Sequence, residues 1–298
     1  MSVSEYKSCT LCPRECKADR TQAVGFCGMK DKLCAAKAMV HTGEEPCISG
    51  KRGSGAIFFT GCTLGCVFCQ NREISHGKFG KEITVERLGE IMLELQGKGV
   101  HNINLVSATH FLPSVEEAIE QIKDRLKIPV VWNTGGYEKV EAVDRISKFS
   151  DIFLQDLKFF SPDISGKYAF ASDYFKHAVK ATERMVGLVG SPHFDADGIL
   201  RKGIILRHLV LPSNRRDSIE LLRELYKACG SENIVLSLMS QYTPPNHKTP
   251  YRELGRKLTD FEYRSVCETA LDLGFRGYFQ ERDSAVSSYT PIFDLAGL

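Results

Sequence analysis

Three cysteines stand close together in Gly61-Cys62-Thr63-Leu64-Gly65-Cys66-Val67-Phe68-Cys69-Gln70-Asn71, with the spacing C-x3-C-x2-C. Three thiolates on one short loop can each take one iron of a cubane 4Fe–4S cluster and leave the fourth iron without a protein ligand. An open coordination position is what a catalytic metal needs. Gly61 and Gly65 relieve backbone crowding where the loop must wrap the cluster. The competing readings are a zinc site that borrows a fourth ligand, or three thiols that only pack.

A second set lies upstream: Cys9, Cys12, Cys16 and Cys27, spaced C-x2-C-x3-C and then ten further residues. Four thiolates suffice for a closed zinc site or for an auxiliary 4Fe–4S cluster. A bound metal would explain how a segment with little apolar periodicity folds. Reduced thiols, or a pair that oxidises, are the plainer alternative. Cys34, Cys47, Cys229 and Cys267 stand alone, and the last two fall on helical patterns that suit core packing. His41, before an acidic Gly-rich stretch, reads as a surface histidine rather than as a supplementary ligand.

The chain around these cysteines has 298 residues, 26% charged and 43% hydrophobic, with a formal net charge of +2. That balance gives no electrostatic case for nucleic acid or a membrane surface. The 11 cysteines are odd in number and too sparse for a small disulfide scaffold. Met1 to Arg20 is polar and lacks a signal-peptide core, and no apolar run reaches the ~18 residues of a membrane span. A cytoplasmic protein with reduced thiols is expected, where clustered cysteines point to metal or catalysis.

The elements that must position the cysteines begin near residue 55. Residues 1–54 form a Cys-rich N-terminal extension, 55–285 a single α/β domain, and 286–298 a C-terminal tail. From Ala56 onward strands and helices alternate. Strands are expected at 56–60, 103–106, 130–133, 152–157, 204–211, 234–239 and 277–280. Between them lie amphipathic helices such as 84–96, with Leu88, Ile91, Met92 and Leu95 on one face. Ser114 with Glu117, and Thr259 with Glu262, read as capping boxes. Six to seven consecutive β/α units argue for a parallel sheet, full or partial barrel, with its site at the carboxyl ends of the strands. The cysteine loop follows the first strand directly. Neither GxGxxG nor a P-loop is present, which weakens dinucleotide-binding and NTPase readings.

The cysteine loop, together with segments 55–71, 102–113, 132–137, 156–158, 207–212 and 237–242 and the Cys12-Pro13-Arg14 run, resembles the radical S-adenosylmethionine (SAM) superfamily, in its branch related to pyruvate formate-lyase activating enzymes. The resemblance implies a parallel partial (β/α)6 barrel. It implies that Cys62, Cys66 and Cys69 hold a 4Fe–4S cluster and that S-adenosylmethionine chelates the open iron. Reductive cleavage would then give a 5′-deoxyadenosyl radical that abstracts hydrogen, with reduced flavodoxin or ferredoxin as the electron donor. Asn133-Thr134-Gly135-Gly136 resembles the family's Asp-Thr-Asn-Gly segment, with Asn for Asp. Asp156-Leu157-Lys158 resembles its Asp-Leu-Lys, and Arg207 its arginine near the cofactor. Asn133, Thr134, Asp156, Lys158 and Arg207 are therefore the expected cofactor-binding residues. Asp156 and Lys158 share one side of a strand, so an ion pair is expected too.

One departure is visible. The family's Gly-Gly-Glu after the second strand, which takes the cofactor's amino group, is replaced by Ser107-Ala108-Thr109-His110-Phe111. Asn104, Ser107 and Thr109 are the substitutes on offer, and His110 is a ligand, a proton donor, a substrate contact or a packing residue. Two loops, 159–171 and 241–257, carry aromatics that either grip a substrate or anchor the loops. Three functions compete: activation of a glycyl radical enzyme, direct radical chemistry on a peptide or small metabolite, and a non-catalytic iron–sulfur or zinc protein.

Overall fold

The computed structural model describes residues 3–77, 79–245, 247, 249–280 and 291–298. The frame is β1 (Cys34–His41), β2 (Ser54–Phe59), α1 (Val85–Gly97), β3 (Ile103–Val106), α2 (Leu112–Ile122), β4 (Val130–Thr134), α3 (Val140–Ile146), β5 (Ile152–Asp156), α4 (Pro162–Ala169), α5 (Tyr174–Val189), β6 (Leu200–Leu209), α6 (Arg215–Cys229), β7 (Ile234–Met239), α7 (Asp260–Asp272) and β8 (Arg276–Phe279). Strands β2 to β8 pair parallel, each with the next in sequence. A doubly wound sheet would reverse its order at a switch point. This one never reverses, so the helices stay on one side and the sheet curls as an open barrel of six β/α units, β2 to α7, closed off by β8. No pairing joins β8 to β1 or β2 among the described residues.

Periodicity explains most of this. Helix α1 is capped by Thr84, whose hydroxyl accepts from the Arg87 N–H at 3.1 Å, and it buries Leu88, Ile91, Met92 and Leu95. The capping box at Thr259 and Glu262 forms with both of its bonds and starts α7. The one expected at Ser114 does not form: Pro113 seats α2 two residues earlier, and Ser114 lies inside the first turn, buried and bonded to the Tyr6 hydroxyl at 2.9 Å.

The stretch before residue 55 contains a strand that apolar periodicity does not announce. β1 runs antiparallel along β2, from Ala35 opposite Phe59 to His41 opposite Ser54. Its alanines are buried on both faces, Ala35 and Ala38 in the main core and Ala36 beside Phe58 and Phe293, so no alternating pattern marks the strand. This part of the N-terminal segment is thus continuous with the sheet. The proposed division at residue 285 lies outside the described residues. The described tail, 291–298, lies along β1: Leu295 N–H donates to the Ala36 carbonyl at 3.1 Å and Ala38 N–H to that of Ala296 at 2.9 Å. Phe293 is buried edge-on against Phe58. No helix among the described residues is long and apolar enough to cross a membrane.

Candidate active site

A cavity of about 260 Å³ opens at the carboxyl ends of the strands. Its wall contains Cys62, Cys66 and Cys69 together with Asn133, Thr134, Asp156, Lys158 and Arg207, so the triad and all five expected cofactor-binding residues face one space, while Cys9, Cys12, Cys16 and Cys27 lie outside it. β2 ends at Phe59 and Gly61 turns with φ +86. A Cβ there would come within 2.6 Å of the Cys27 carbonyl oxygen, so only glycine lets the chain enter the cysteine loop at this point. The loop is held by Cys62 N–H to Cys27 O (3.4 Å), Val67 N–H to Tyr168 O (2.9 Å) and Cys69 N–H to Cys66 O (3.2 Å).

All three thiols are free. Burial raises the Cys62 thiol to about 11 and that of Cys66 to about 12, against the pull of the Lys158 ammonium. Thiols this desolvated ionise only when a cation shares their space. No set of three or more His, Cys, Asp or Glu side chains among the described residues could hold a single metal ion. A cubane does not ask its sulfurs to converge on one ion, because each cysteine binds a different iron. Donor type, loop geometry and the adjoining cavity therefore fit the three-cysteine cluster with room for a ligand.

Beside the cysteines lies a charged network. Asp156 and Arg207 sit opposite each other in the β5–β6 register, which puts both side chains on one face. Arg207 Nε donates to Asp156 Oδ1 at 2.8 Å, Nη2 to Asn133 Oδ1 at 2.7 Å and Nη1 to Glu44 Oε2 at 3.0 Å. Lys158 Nζ donates to Asp156 Oδ2 at 2.6 Å, the ion pair expected from the two-residue period. Three of the five guanidinium N–H groups are thus engaged. Burial pushes the Asp156 carboxyl up, but Arg207 and Lys158 together outweigh it and hold the group below its ordinary range. Burial wins at Glu44, which shares Arg207 with Asp156 and is shifted upward.

Glu44 is the residue that sequence reasoning missed. It stands in the turn after β1, lines the cavity, and accepts from Asn104 Nδ2 at 2.9 Å as well as from Arg207. Asn104 is therefore a support for Glu44 and not a part of the wall. His41 also lines the cavity instead of lying on the surface, half-buried and edge-on to Phe58. The remaining substitutes for the absent Gly-Gly-Glu divide. Ser107 reaches the cavity from a backbone with φ +60. His110 is buried in packing: its Nε2 bonds the Thr60 carbonyl at 2.8 Å, and burial with the nearby Arg20 lowers it to about 3. In the two aromatic loops Phe159, Tyr168 and Tyr242 are buried as anchors, and residues 162–169 form α4. Of the second loop, residues 246 and 248 lie outside the described residues.

Thr109 is turned away, donating at 2.5 Å to Glu138, which also accepts from Thr134. The other Glu138 oxygen approaches the Trp132 N–H without a bond of normal geometry. Burial raises this carboxyl from 4.5 to about 7 against its hydroxyl donors. The folded protein then keeps a proton that the unfolded chain releases near pH 4.5. Stability should fall by about 3 kcal/mol as pH rises between these values and stay level above them. Anaerobic urea unfolding of the native protein and Glu138→Gln from pH 4.5 to 8 should show that slope in the native protein alone. Parallel curves would remove the buried proton from this site.

The Radical SAM superfamily model matches residues 56–191. An uncharacterised protein of Methanocaldococcus jannaschii is 28% identical over 273 residues, 89% of this chain and 75% of the relative. Streptococcus suis SuiB bound to S-adenosylmethionine is similar with a TM-score of 0.47 at 14% identity, over 74% of this chain and 48% of SuiB. A domain of pyruvate-formate lyase-activating enzyme from Bacteroides vulgatus gives 0.37 at 13% identity, over 66% of this chain and 91% of the domain. The chain thus spans less than half of SuiB. The stretch that matches the Radical SAM superfamily model carries the cysteine loop and the ends of β2, β4 and β5.

Proposed function

We propose that the protein binds a 4Fe–4S cluster through Cys62, Cys66 and Cys69, takes an electron from a reduced flavodoxin or ferredoxin, and uses S-adenosylmethionine to abstract hydrogen from a glycine of a partner glycyl radical enzyme. The observation that carries the reading is the shared cavity, in which three free thiols face Asp156, Lys158, Arg207 and Glu44. When bound, the cluster supplies one electron to the sulfonium, whose C–S bond breaks to methionine and a 5′-deoxyadenosyl radical.

The protein's share is binding and shielding. Lys158 and the remaining Arg207 donors offer cations to a carboxylate, Glu44 an anion to an ammonium, and Asn133 and Thr134 neutral groups to hydroxyls. Leu64, Phe58, Leu209 and Met239 make up apolar wall that keeps water from a radical. A second reading, direct chemistry on a peptide or small metabolite, is favoured by the absence of Gly-Gly-Glu and by the extra cysteines.

The test is anaerobic reconstitution, a strong reductant, and assay of 5′-deoxyadenosine with peptides deuterated at the glycine α-carbon. Deuterium in 5′-deoxyadenosine supports the activase. Cleavage without transfer across several glycine-loop peptides moves the assignment to the second reading. No cleavage, from protein that has bound iron, defeats both.

A further inference from the structure

The upstream cysteines are folded into the triad. Cys62 N–H donates to the Cys27 carbonyl at 3.4 Å, and Arg14 Nε donates to the Thr63 carbonyl, inside the triad loop, at 2.9 Å. Arg14 Nη2 also reaches the Ala169 carbonyl at 3.0 Å, so the Cys-Pro-Arg run clamps both loops together. Cys9, Cys12 and Cys27 are buried and Cys16 is exposed, all as free thiols. Their sulfurs are neighbours: Cys12 lies within electrostatic range of Cys9 and Cys27, and Cys27 of Cys9 and Cys16. A Cβ on Gly25 would stand 3.4 Å from the Cys16 sulfur and 3.5 Å from that of Cys27, so the absent side chain leaves the space between them open.

One further feature asks for an anionic sulfur centre, and it is Arg20. Its side chain is fully buried, yet it donates to the carbonyls of Met29, Lys30 and His110 and to the Cys9 sulfur at 3.7 Å, and it forms no salt bridge among the described residues. A buried guanidinium is costly without a counter-charge. A cluster carried by four thiolates is net negative and would lie against it.

We propose that Cys9, Cys12, Cys16 and Cys27 hold a second cubane iron–sulfur cluster, packed against the triad loop with Arg20 as its buried counter-ion. This site does not depend on what the triad does with S-adenosylmethionine. A single zinc ion suits the pattern less well, because no four-thiol cage for one ion is formed among the described residues.

The test is iron, zinc and sulfide analysis with Mössbauer and electron paramagnetic resonance spectra of the full chain, purified anaerobically and reconstituted. Three forms are compared: native, the triad variant with Cys62, Cys66 and Cys69 all Ala, and Cys16→Ser, which changes only the exposed thiol. The native protein should bind about eight irons per chain and the triad variant about four. The triad variant should keep a reducible cubane signal, and Cys16→Ser should lose or alter that signal alone. About four irons in native protein, all lost from a triad variant whose circular dichroism is unchanged, overturns the second cluster and leaves the first. One zinc retained by the triad variant overturns it as well. Four irons retained by the triad variant but absent after Cys16→Ser, with only four in the native protein, keeps the upstream cluster and defeats the triad assignment.

Discussion

Replacing Arg207 with Met is expected to destabilise the protein by about 3 kcal/mol at neutral pH, the lower end of what removing one partner of a buried ion pair costs. Arg207 is one cation shared by two carboxylates, with side-chain exposures of 16% for Arg207, 8% for Glu44 and 20% for Asp156. Lys158 would still hold Asp156 through Oδ2, so the loss falls mainly on Glu44, left with only the neutral amides of Asn104 and Asn133 as its donors. The sign with pH follows. In the native protein Asp156 is held below its ordinary 3.8, so its contribution is present above that value and is lost only in stronger acid. In the variant both carboxyls shift upward and can shed their charge by taking protons as pH falls. The deficit should therefore be largest above pH 7 and shrink toward pH 5. Anaerobic urea unfolding across that range reads it, and Arg207→Met combined with Glu44→Gln should recover part of the loss. A pH-independent deficit, or none, would show that the network is not what holds the β5–β6 end together.

The network also shows how far the sequence reaches. The cysteine loop is legible because three metal-type ligands sit in one short run, and the strands are legible because their apolar content is dense and regularly interrupted. Asp156 and Lys158 follow from strand period alone. Their shared use of Arg207, 51 residues from Asp156, needs the barrel. Glu44 has no such local signal. It lies on a turn after an alanine-rich strand whose antiparallel addition to β2 breaks the β/α rhythm, and its partner Arg207 is 163 residues away. Its neighbour Glu45, equally acidic in sequence, is buried too and shifted upward by burial. Nothing in the order Gly43-Glu44-Glu45-Pro46 says which carboxylate faces the cavity. At His110 the structure decides between readings that the sequence leaves open. A strand-end histidine suggests chemistry, but the turn at Thr109–Phe111 folds its ring inward against Phe111 and onto the Thr60 carbonyl.

Glu44→Gln separates charge from shape at the same site. The amide keeps one oxygen for Arg207 and can turn its NH2 to Asn104, whose buried Oδ1 has no other partner, so the fold should be little changed while the cavity loses one of its anions. S-adenosylmethionine brings an ammonium and a sulfonium, and a charge-assisted bond from such a group to a buried carboxylate contributes about 1.5–3 kcal/mol. Affinity at pH 8 should therefore fall roughly 10- to 100-fold. Because burial raises the Glu44 carboxyl, the native protein should itself lose affinity as pH falls and the group takes a proton in the absence of ligand. The variant has no proton to take up there and should be flatter. Equilibrium dialysis of labelled S-adenosylmethionine against both reconstituted proteins, from pH 5.5 to 8.5, measures the two curves. Curves that converge at acidic pH and part at alkaline pH assign Glu44 the role that the missing Gly-Gly-Glu leaves open. Curves that coincide throughout would make Glu44 a structural partner of Arg207, and would return the amino-group contact to Ser107, the other strand-end candidate on the cavity wall.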